Sequence, residues 1–88
     1  MNKLRLDKQD IDWREVEEEV IALRRSTSSY LGVNRSGTLL WRALEAGANE
    51  TQLAELLVQR YGISGAAAQA DVSSFVGQLR TQGLIQRV

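Results

Sequence analysis

The side chains that could carry out acid–base or nucleophilic chemistry are scattered through this 88-residue sequence and form no catalytic pattern. Histidine and cysteine are absent, which removes the commonest general base, the thiolate nucleophile and the usual ligands of transition metals. Serine, tyrosine, lysine and the carboxylates remain, but no candidate nucleophile has a base and an orienting partner at a suitable spacing. We therefore predict a protein that is not an enzyme and that uses no cofactor and no metal.

The densest group of carboxylates lies at residues 15–19, where Glu15 is followed by Glu17, Glu18 and Glu19. Paired carboxylates perform acid–base catalysis when their surroundings push their pKa values apart. The neighbouring sequence offers neither a companion base nor an apolar pocket for such a shift. Residues 17–19 are therefore predicted to form a charged turn, and an exposed acidic face is the alternative.

Residues 29–37, Ser-Tyr-Leu-Gly-Val-Asn-Arg-Ser-Gly, offer main-chain hydrogen bonding instead. Tyrosine, leucine and valine favour a half-buried strand at Ser29–Val33. Asn34 can cap a helix that starts at Arg35 or Ser36, because its side-chain oxygen accepts hydrogen bonds from the free amides of the first turn. Strand character precedes this stretch and helix character follows it. We predict that the strand is an open sheet edge with which an extended peptide pairs.

Alternation within this strand decides which of its side chains are exposed. Leu31 and Val33 lie on one side and Tyr30 on the other, so that one set faces the core. We expect Leu31 and Val33 to lie inside and Tyr30 to be accessible. Gly32 either relaxes the strand or lets another backbone approach it closely.

Two further strands are predicted before this one. Ile11–Val16 begins with alternating apolar and charged side chains, and residues 20–24 hold four consecutive apolar residues next to charged ones. Joined by short polar turns, the three strands form an antiparallel meander. Residues 1–10 are expected either to be flexible or to add a short edge strand.

Three helices are predicted in the second part of the chain, because polar residues precede and glycines follow three amphipathic segments. The residues that set the boundaries are Asn34 and Gly47 for helix 1, Asn49 and Gly62 for helix 2, and Ser64 and Gly83 for helix 3. Helix 2 opens with a variant of the capping box, and helix 3 extends from residue 65 or 66 to Gln82. Leu84 and Ile85 are then expected to fold back onto the core. The fold class that results is α+β, a winged helix-turn-helix-like single domain over residues 1–88, with a three-stranded antiparallel sheet followed by three α-helices.

Composition excludes several classes of function. The formal net charge is zero, from 11 basic and 11 acidic side chains, which argues against nucleic acid or an acidic membrane as partner. No apolar run approaches the roughly 20 residues that span a bilayer, and the first residues lack the apolar core of a signal peptide. We predict a cytoplasmic protein with neither a nucleic-acid nor a membrane partner. A DNA-binding winged helix is the alternative, although helix 3 would carry Arg80 as its only basic residue, against Asp71.

The order of several short patterns resembles the PqqD-like family, the peptide recognition elements of ribosomal peptide natural-product pathways. After the predicted hairpin, these patterns are Tyr30-x-Gly32-Val33-Asn34, Trp41 within a helix, Gly47, Asn49-x-x-Gln52, Tyr61-Gly62, Ala70-Asp71-Val72, Phe75-Val76, Leu79 and Gly83-Leu84-Ile85. The resemblance covers roughly residues 16–88. It is strongest to the stand-alone recognition protein of lasso-peptide pathways with split leader processing, and a partner of a radical-SAM enzyme, as in pyrroloquinoline quinone synthesis, is the other possibility.

The resemblance implies a peptide-binding role without catalysis. Family members bind the leader segment of a precursor peptide and present it to a separate leader protease, resembling a cysteine protease, or to another modifying enzyme. The leader would lie in a groove between the third strand and helix 3. The implied peptide-binding residues are Ser29, Tyr30, Leu31, Gly32, Val33, Ala67, Ala68, Asp71, Phe75, Gln78 and Leu79.

Each of these side chains has a role under the resemblance and a simpler structural role beside it. The alanines would let a peptide approach closely, and Phe75 and Leu79 would form an apolar floor. Asp71 would bind a polar or basic leader group, or be a solvated carboxylate. Phe75 lies on the apolar stripe of its helix, so that a pure core role is its alternative. A subunit that binds another protein through the same strand edge is the alternative function.

Two further sets of side chains leave alternatives open. The basic residues near the third strand in sequence, Arg24, Arg25 and Arg35, are either solvated or available to acidic groups of a leader or of a partner enzyme. Trp13 and Trp41 are predicted to be core or interface aromatics, and Trp41 is the stronger core candidate.

Overall fold

The computed structural model describes residues 3–87, in which strands and helices follow the predicted order. The strands are β1 (Leu4–Leu6), β2 (Ile11–Val16), β3 (Glu19–Arg24), β4 (Ser29–Val33) and β5 (Ile85–Arg87), and the helices are α1 (Arg35–Ala46), α2 (Glu50–Tyr61) and α3 (Gly65–Thr81). The predicted α+β class is confirmed, with a three-stranded sheet ahead of three helices. Within the described part of the chain, no helix is both long and apolar enough to cross a bilayer.

The predicted antiparallel meander is confirmed, with the strand order β2-β3-β4. Its first turn is shorter than expected, because Glu19 belongs to β3 and pairs with Val16 of β2. The two turn residues, Glu17 and Glu18, have φ values of 51° and 66°. Positive φ at both positions gives a two-residue hairpin turn whose twist matches that of the strands, so the third glutamate is free to enter the ladder.

The two ends of the described chain form a second, two-stranded sheet from β1 and β5. Leu4 and Leu6 are only 4% exposed, and the Leu4 amide donates to the Ala48 carbonyl at 2.8 Å. Of the two expectations for residues 1–10, the short strand is the one that the described part adopts, and residues 1–2 lie outside the described residues. The predicted return of the chain to the core is also confirmed, since Leu84 is buried and Ile85 lies half-buried at the start of β5.

The helix starts follow the predicted capping residues. The Asn34 side chain accepts from the Gly37 amide at 2.9 Å, and the Ser64 side chain accepts from the Ala67 amide at 3.1 Å. The capping box of α2 is complete, with both hydrogen bonds between Asn49 and Gln52 present. The third helix ends one residue earlier than predicted, at Thr81.

The core lies between the inner face of the sheet and the three helices. Trp41 is fully buried at its centre, and its ring meets that of Trp13 edge to face at a centroid distance of 5.7 Å. The apolar stripe of α3 supplies Ala68, Val72, Val76 and Leu79, all of them buried. This stripe fixes which side of α3 faces the core and therefore which of its residues stay accessible on either side of the stripe.

Candidate functional site

A cleft of about 410 Å³ lies between strand β4 and helix α3. It is lined by Leu31, Gly32, Val33 and Asn34 along the strand, by Ser36, Gly37 and Leu40 of α1, by Leu57 of α2, and by Asp71, Ser74, Phe75, Gln78 and Leu79 of α3. Within residues 3–87, β4 pairs only with β3, so its other edge is unpaired. An unpaired edge presents main-chain donors and acceptors, which makes the cleft suited to an extended chain.

A buried threonine shows which way the main chain of β4 points. The hairpin turn pairs Val16 with Glu19, so that the main-chain groups of Val20 face away from β2 and toward β4. The Val20 amide there donates to the Thr38 hydroxyl at 3.0 Å, and this hydroxyl donates to the Val33 carbonyl at 3.3 Å. The Val33 carbonyl is therefore directed into the sheet rather than toward the free edge.

Main-chain directions alternate along a strand, which assigns the groups that lie at the free edge. Val33, Leu31 and Ser29 direct their groups toward β3, opposite Val20, Ala22 and Arg24. Tyr30 and Gly32 consequently direct their amides and carbonyls outward. The free edge thus offers two donors and two acceptors, in the alternating pattern that an added strand requires.

The wall of the cleft opposite β4 comes from one face of α3. Asp71, Phe75 and Gln78 follow one another at spacings of four and three residues, which places them on the same helix face. Phe75 is half-buried, so it contacts both the core and the cleft, and Leu79 is 1% exposed beneath it. No described residue forms a hydrogen bond or an ion pair with the exposed carboxylate of Asp71. The side of the cleft formed by α3 therefore has an apolar part, made by Phe75 and Leu79, and one negative charge without a partner among the described residues, that of Asp71.

The start of helix α1 closes the floor of the cleft through a close approach at Gly37. A Cβ atom at this position would lie 2.5 Å from a Val33 methyl group and 3.1 Å from the Phe75 ring. Only glycine lets the helix begin so close to both side chains. Any larger residue at this position would displace the side chain of Val33 or of Phe75.

The cleft continues beyond Asp71 into a second hollow of about 510 Å³, which reaches Tyr61 and Ile63. Glu19 and Arg35 also line this hollow, and Arg35 lies 3.5 Å from the Glu18 carboxylate. Together the two hollows form a continuous groove, because Asp71 and Asn34 line both.

The three basic residues near β4 in sequence all have carboxylate partners within the chain. Besides the pair of Arg35 with Glu18, Arg24 lies 3.7 Å from Asp10, and Arg25 lies 2.8 Å from Asp12. The pKa of the Asp10 carboxyl is lowered mainly by the hydrogen bond that the Ser26 hydroxyl donates to it. The positive charges of Arg24 and Arg25 lower this pKa further. These arginines therefore contribute ion pairs to the surface rather than a free basic patch.

The structure brings most of the sequence-predicted site residues together. Leu31, Gly32, Val33, Asp71, Phe75, Gln78 and Leu79 line the cleft. The other predicted residues lie elsewhere: Ser29 and Ala67 are exposed outside its lining, and Tyr30 is 73% exposed on the opposite face of the sheet. Ala68 differs from the expectation, because it is fully buried on the core stripe of α3 and its side chain does not face the cleft.

Sequence reasoning missed the cleft residues contributed by α1 and α2 and one on α3. Ser74 lies three residues after Asp71 and four before Gln78, so helical spacing would have found it. Asn34 entered the prediction only as a helix cap. Ser36 and Gly37 reach the cleft because α1 packs against β4, which no local pattern reveals. No group of three or more potential metal-ligating side chains occurs within residues 3–87.

Two solved structures share this fold. One is described as TbiB1 in complex with the TbiA(beta) leader peptide; it has a TM-score of 0.83 and 20% identity, and the match covers 93% of this chain and 94% of that chain. The other is described as lasso peptide synthetase B1 complexed with the leader peptide; it has a TM-score of 0.82 and 20% identity over 94% and 96% of the two chains. The comparison with curated proteins gives no match.

A family model defines the relationship at the level of sequence. The model described as Coenzyme PQQ synthesis protein D (PqqD) matches residues 19–85, which include strands β3 and β4, all three helices and every residue that lines the cleft. Because the match covers most of the sequence, the chain belongs to the PqqD family.

Proposed function

We propose that this chain binds the leader segment of a ribosomally made precursor peptide and catalyses no reaction itself. The observation that carries the proposal is the unpaired, uncharged edge of β4, which opens into a cleft with an apolar floor. Membership of the PqqD family supports it, as do two structures of the same fold that are described as leader-peptide complexes. The bound leader would then be delivered in the cytoplasm to a separate leader protease or another modifying enzyme.

Strand addition to β4 is the binding mode that the geometry favours. Tyr30 and Gly32 offer four main-chain groups at the free edge, and each hydrogen bond contributes a net of roughly 0.5–1.5 kcal/mol. Ordering a flexible peptide costs a comparable amount, about 2–5 kcal/mol. Main-chain pairing therefore holds the leader weakly and without selecting its sequence, and affinity and specificity depend on side chains.

The side chains of a bound leader alternate between the two faces of the sheet. Leader residues opposite Leu31 and Val33 point inward, toward the floor made by Phe75 and Leu79. An apolar leader side chain fits this position because it covers the half-buried Phe75 ring. Asp71 at the far side would bind a basic or hydrogen-bond-donating leader group, since its carboxylate has no partner among the described residues. Ser29, Tyr30, Ala67 and Gln78 remain predicted contacts.

Fluorescence polarisation tests the proposal directly. The probe is the labelled leader of the precursor peptide encoded nearest to this chain's gene, with a scrambled peptide and a random DNA duplex as controls. We expect saturable binding of the leader alone, in the micromolar range or tighter. Binding of the duplex without the leader would contradict the proposal and favour the winged-helix alternative.

Phe75→Ala tests whether the floor of the cleft contacts the leader. We expect the variant to fold and to bind the leader about tenfold more weakly, because an aromatic contact is lost. Val58→Ala on α2 is the matched control, since Val58 is an exposed apolar residue that lines none of the hollows described above. If Phe75→Ala only unfolds, Phe75 belongs to the core, and Phe75→Leu then separates the two roles by retaining apolar volume.

A further inference from the structure

A third hollow, of about 380 Å³, lies on the outer face of the sheet beside Gly32. Val16 and Ile21 line it and are 44% and 41% exposed, and Glu17 and Glu19 lie at its rim. The outer face of an antiparallel sheet is normally polar, so two large aliphatic side chains at one place there are unusual. The hollow adjoins the same strand edge that the leader would join.

Gly32 creates this hollow by lacking a side chain. It lies opposite Ile21 in the ladder, and a Cβ atom built on it would meet nothing within 4 Å. Its φ lies outside the left-handed region, so the backbone conformation does not require glycine here. The consequence of the glycine is that Ile21 is uncovered on the side that faces the free edge of β4.

A strand added to β4 fixes what enters the hollow. Residues directly opposite each other in a ladder point to the same face, so the leader residue opposite Gly32 projects onto the outer face in either strand direction. With no side chain on Gly32, this leader side chain can lean across the strand and reach Ile21. Large side chains cover strand glycines from neighbouring strands in this way.

We infer that the hollow at Gly32 is a second specificity site for the same leader, which accepts a large aliphatic or aromatic side chain on the outer face of the sheet. This inference rests on the proposed function. The leader is then selected on both faces of its added strand: inward residues by Phe75 and Leu79, and one outward residue by Ile21. Glu17 and Glu19 at the rim disfavour an acidic residue at the outward position.

Ile21→Ala tests the inference, measured by fluorescence polarisation with the labelled leader described above. We expect about fivefold weaker binding, because the side chain loses apolar area that the leader would cover. Val58→Ala, on an apolar residue of similar exposure, should stay within about twofold of the unchanged chain. Thermal unfolding of each variant shows that the fold is retained.

A second variant makes the test specific to the hollow. Gly32→Val fills the space above Ile21 while placing a good strand former at a permitted backbone conformation, so its unfolding midpoint should equal or exceed that of the unchanged chain. In this background the Ile21→Ala change should no longer weaken leader binding, because the leader side chain cannot reach position 21. In an alanine scan of the leader, one outward-facing position should weaken binding to the unchanged chain when replaced by alanine. The same replacement should not weaken binding to the Ile21→Ala variant.

The outcomes separate this inference from the proposed function. If the unchanged chain binds the leader and Ile21→Ala binds it as well as Val58→Ala does, the second specificity site is wrong and leader binding stands. The site is also contradicted if Ile21→Ala weakens leader binding by the same factor in the unchanged chain and in the Gly32→Val variant. If the unchanged chain does not bind the leader, both the inference and the proposed function are wrong.

Discussion

The two outer strands of the three-stranded sheet differ in what they present at their free edges. Strand β2 carries Asp12, Arg14 and Glu15 among its six residues, whereas β4 carries no charged residue. Two of these charges are held by ion pairs, Asp12 with Arg25 and Glu15 with Arg42. Charged edge strands resist pairing with another chain, and uncharged ones accept it. The sheet therefore has one edge lined by charged residues and one edge that is unpaired and uncharged within the described residues.

The largest difference in leader binding between the two edges is expected from a proline introduced into each strand. Gly32→Pro removes an outward amide of β4 without removing a hydrogen bond to β3, and its ring obstructs an added strand. We expect leader binding to weaken by more than about tenfold while the fold is retained. Fluorescence polarisation and circular dichroism measure the two quantities.

Glu15→Pro is the matched change on the other edge, because the Glu15 amide also points away from β3. It should leave leader affinity unchanged, and Glu15→Gln accounts for the accompanying loss of the Arg42 ion pair. Equal loss of leader binding in the two proline variants would show that the two edges do not differ as proposed.

A smaller effect is expected at the wall of the open edge. Asp71→Asn removes the charge without changing the size of the side chain, and we expect leader binding to weaken by about threefold to fivefold when the leader carries a basic residue there. The effect should shrink as salt is added, because an exposed ion pair is screened. Glu55→Gln on the exposed surface of α2 is the control, and equal affinities for the two variants would assign Asp71 to solvent.

The smallest expected effect is on the stability of the fold at low pH, through the ion pair between Glu15 of β2 and Arg42. The hydrogen bond from Arg42, followed by its charge, lowers the pKa of Glu15 below its ordinary value of 4.5. Since the folded-state pKa is the lower one, the stability from this pair is complete above about pH 4.5 and is lost as pH falls through the folded pKa. The unfolding midpoint of Arg42→Gln should therefore lie slightly below that of the unchanged chain at about pH 7, and the difference should narrow progressively as the pH falls below 4.5. A difference that persists in acid would show that Arg42 contributes by packing alone.

Local sequence patterns predicted those parts of the fold that depend on neighbouring residues. The capping box of α2 and the caps at Asn34 and Ser64 are such cases, because each hydrogen bond spans three residues. The antiparallel ladder between β1 and β5 joins the two ends of the described chain, and composition left β1 as one of two alternatives. The boundary error at Glu19 arose because two consecutive glutamates adopted a left-handed turn that glycine or asparagine usually forms.

The strand and the α3 face of the candidate site were predicted from the sequence, but the residues that α1 and α2 contribute to the cleft were not. The strand stretch predicted one wall of the cleft, and the resemblance to the PqqD-like family placed the other wall on helix 3, with Asp71, Phe75 and Gln78 among its residues. Ala68 faces the core because of how α3 is rotated about its axis. The sequence did not predict this rotation at Ala68, because neighbouring positions are also alanine and give no apolar–polar contrast. Thr38 carries no sequence signal, yet its buried hydroxyl links β3 to β4 and fixes the outward direction of Tyr30 and Gly32.

The pairing of β1 with β5 has a consequence for how the domain can be joined to other proteins. Leu4 lies directly opposite Arg87, so the two ends of the described chain leave from the same corner of the molecule. None of the cleft residues belongs to these two strands. A polypeptide attached before or after the domain, or one that continues from both ends, would therefore leave from this one corner, which contributes no residue to the lining of the cleft. Adjacent ends of this kind suit both a free-standing domain and a domain inserted into a loop of another protein.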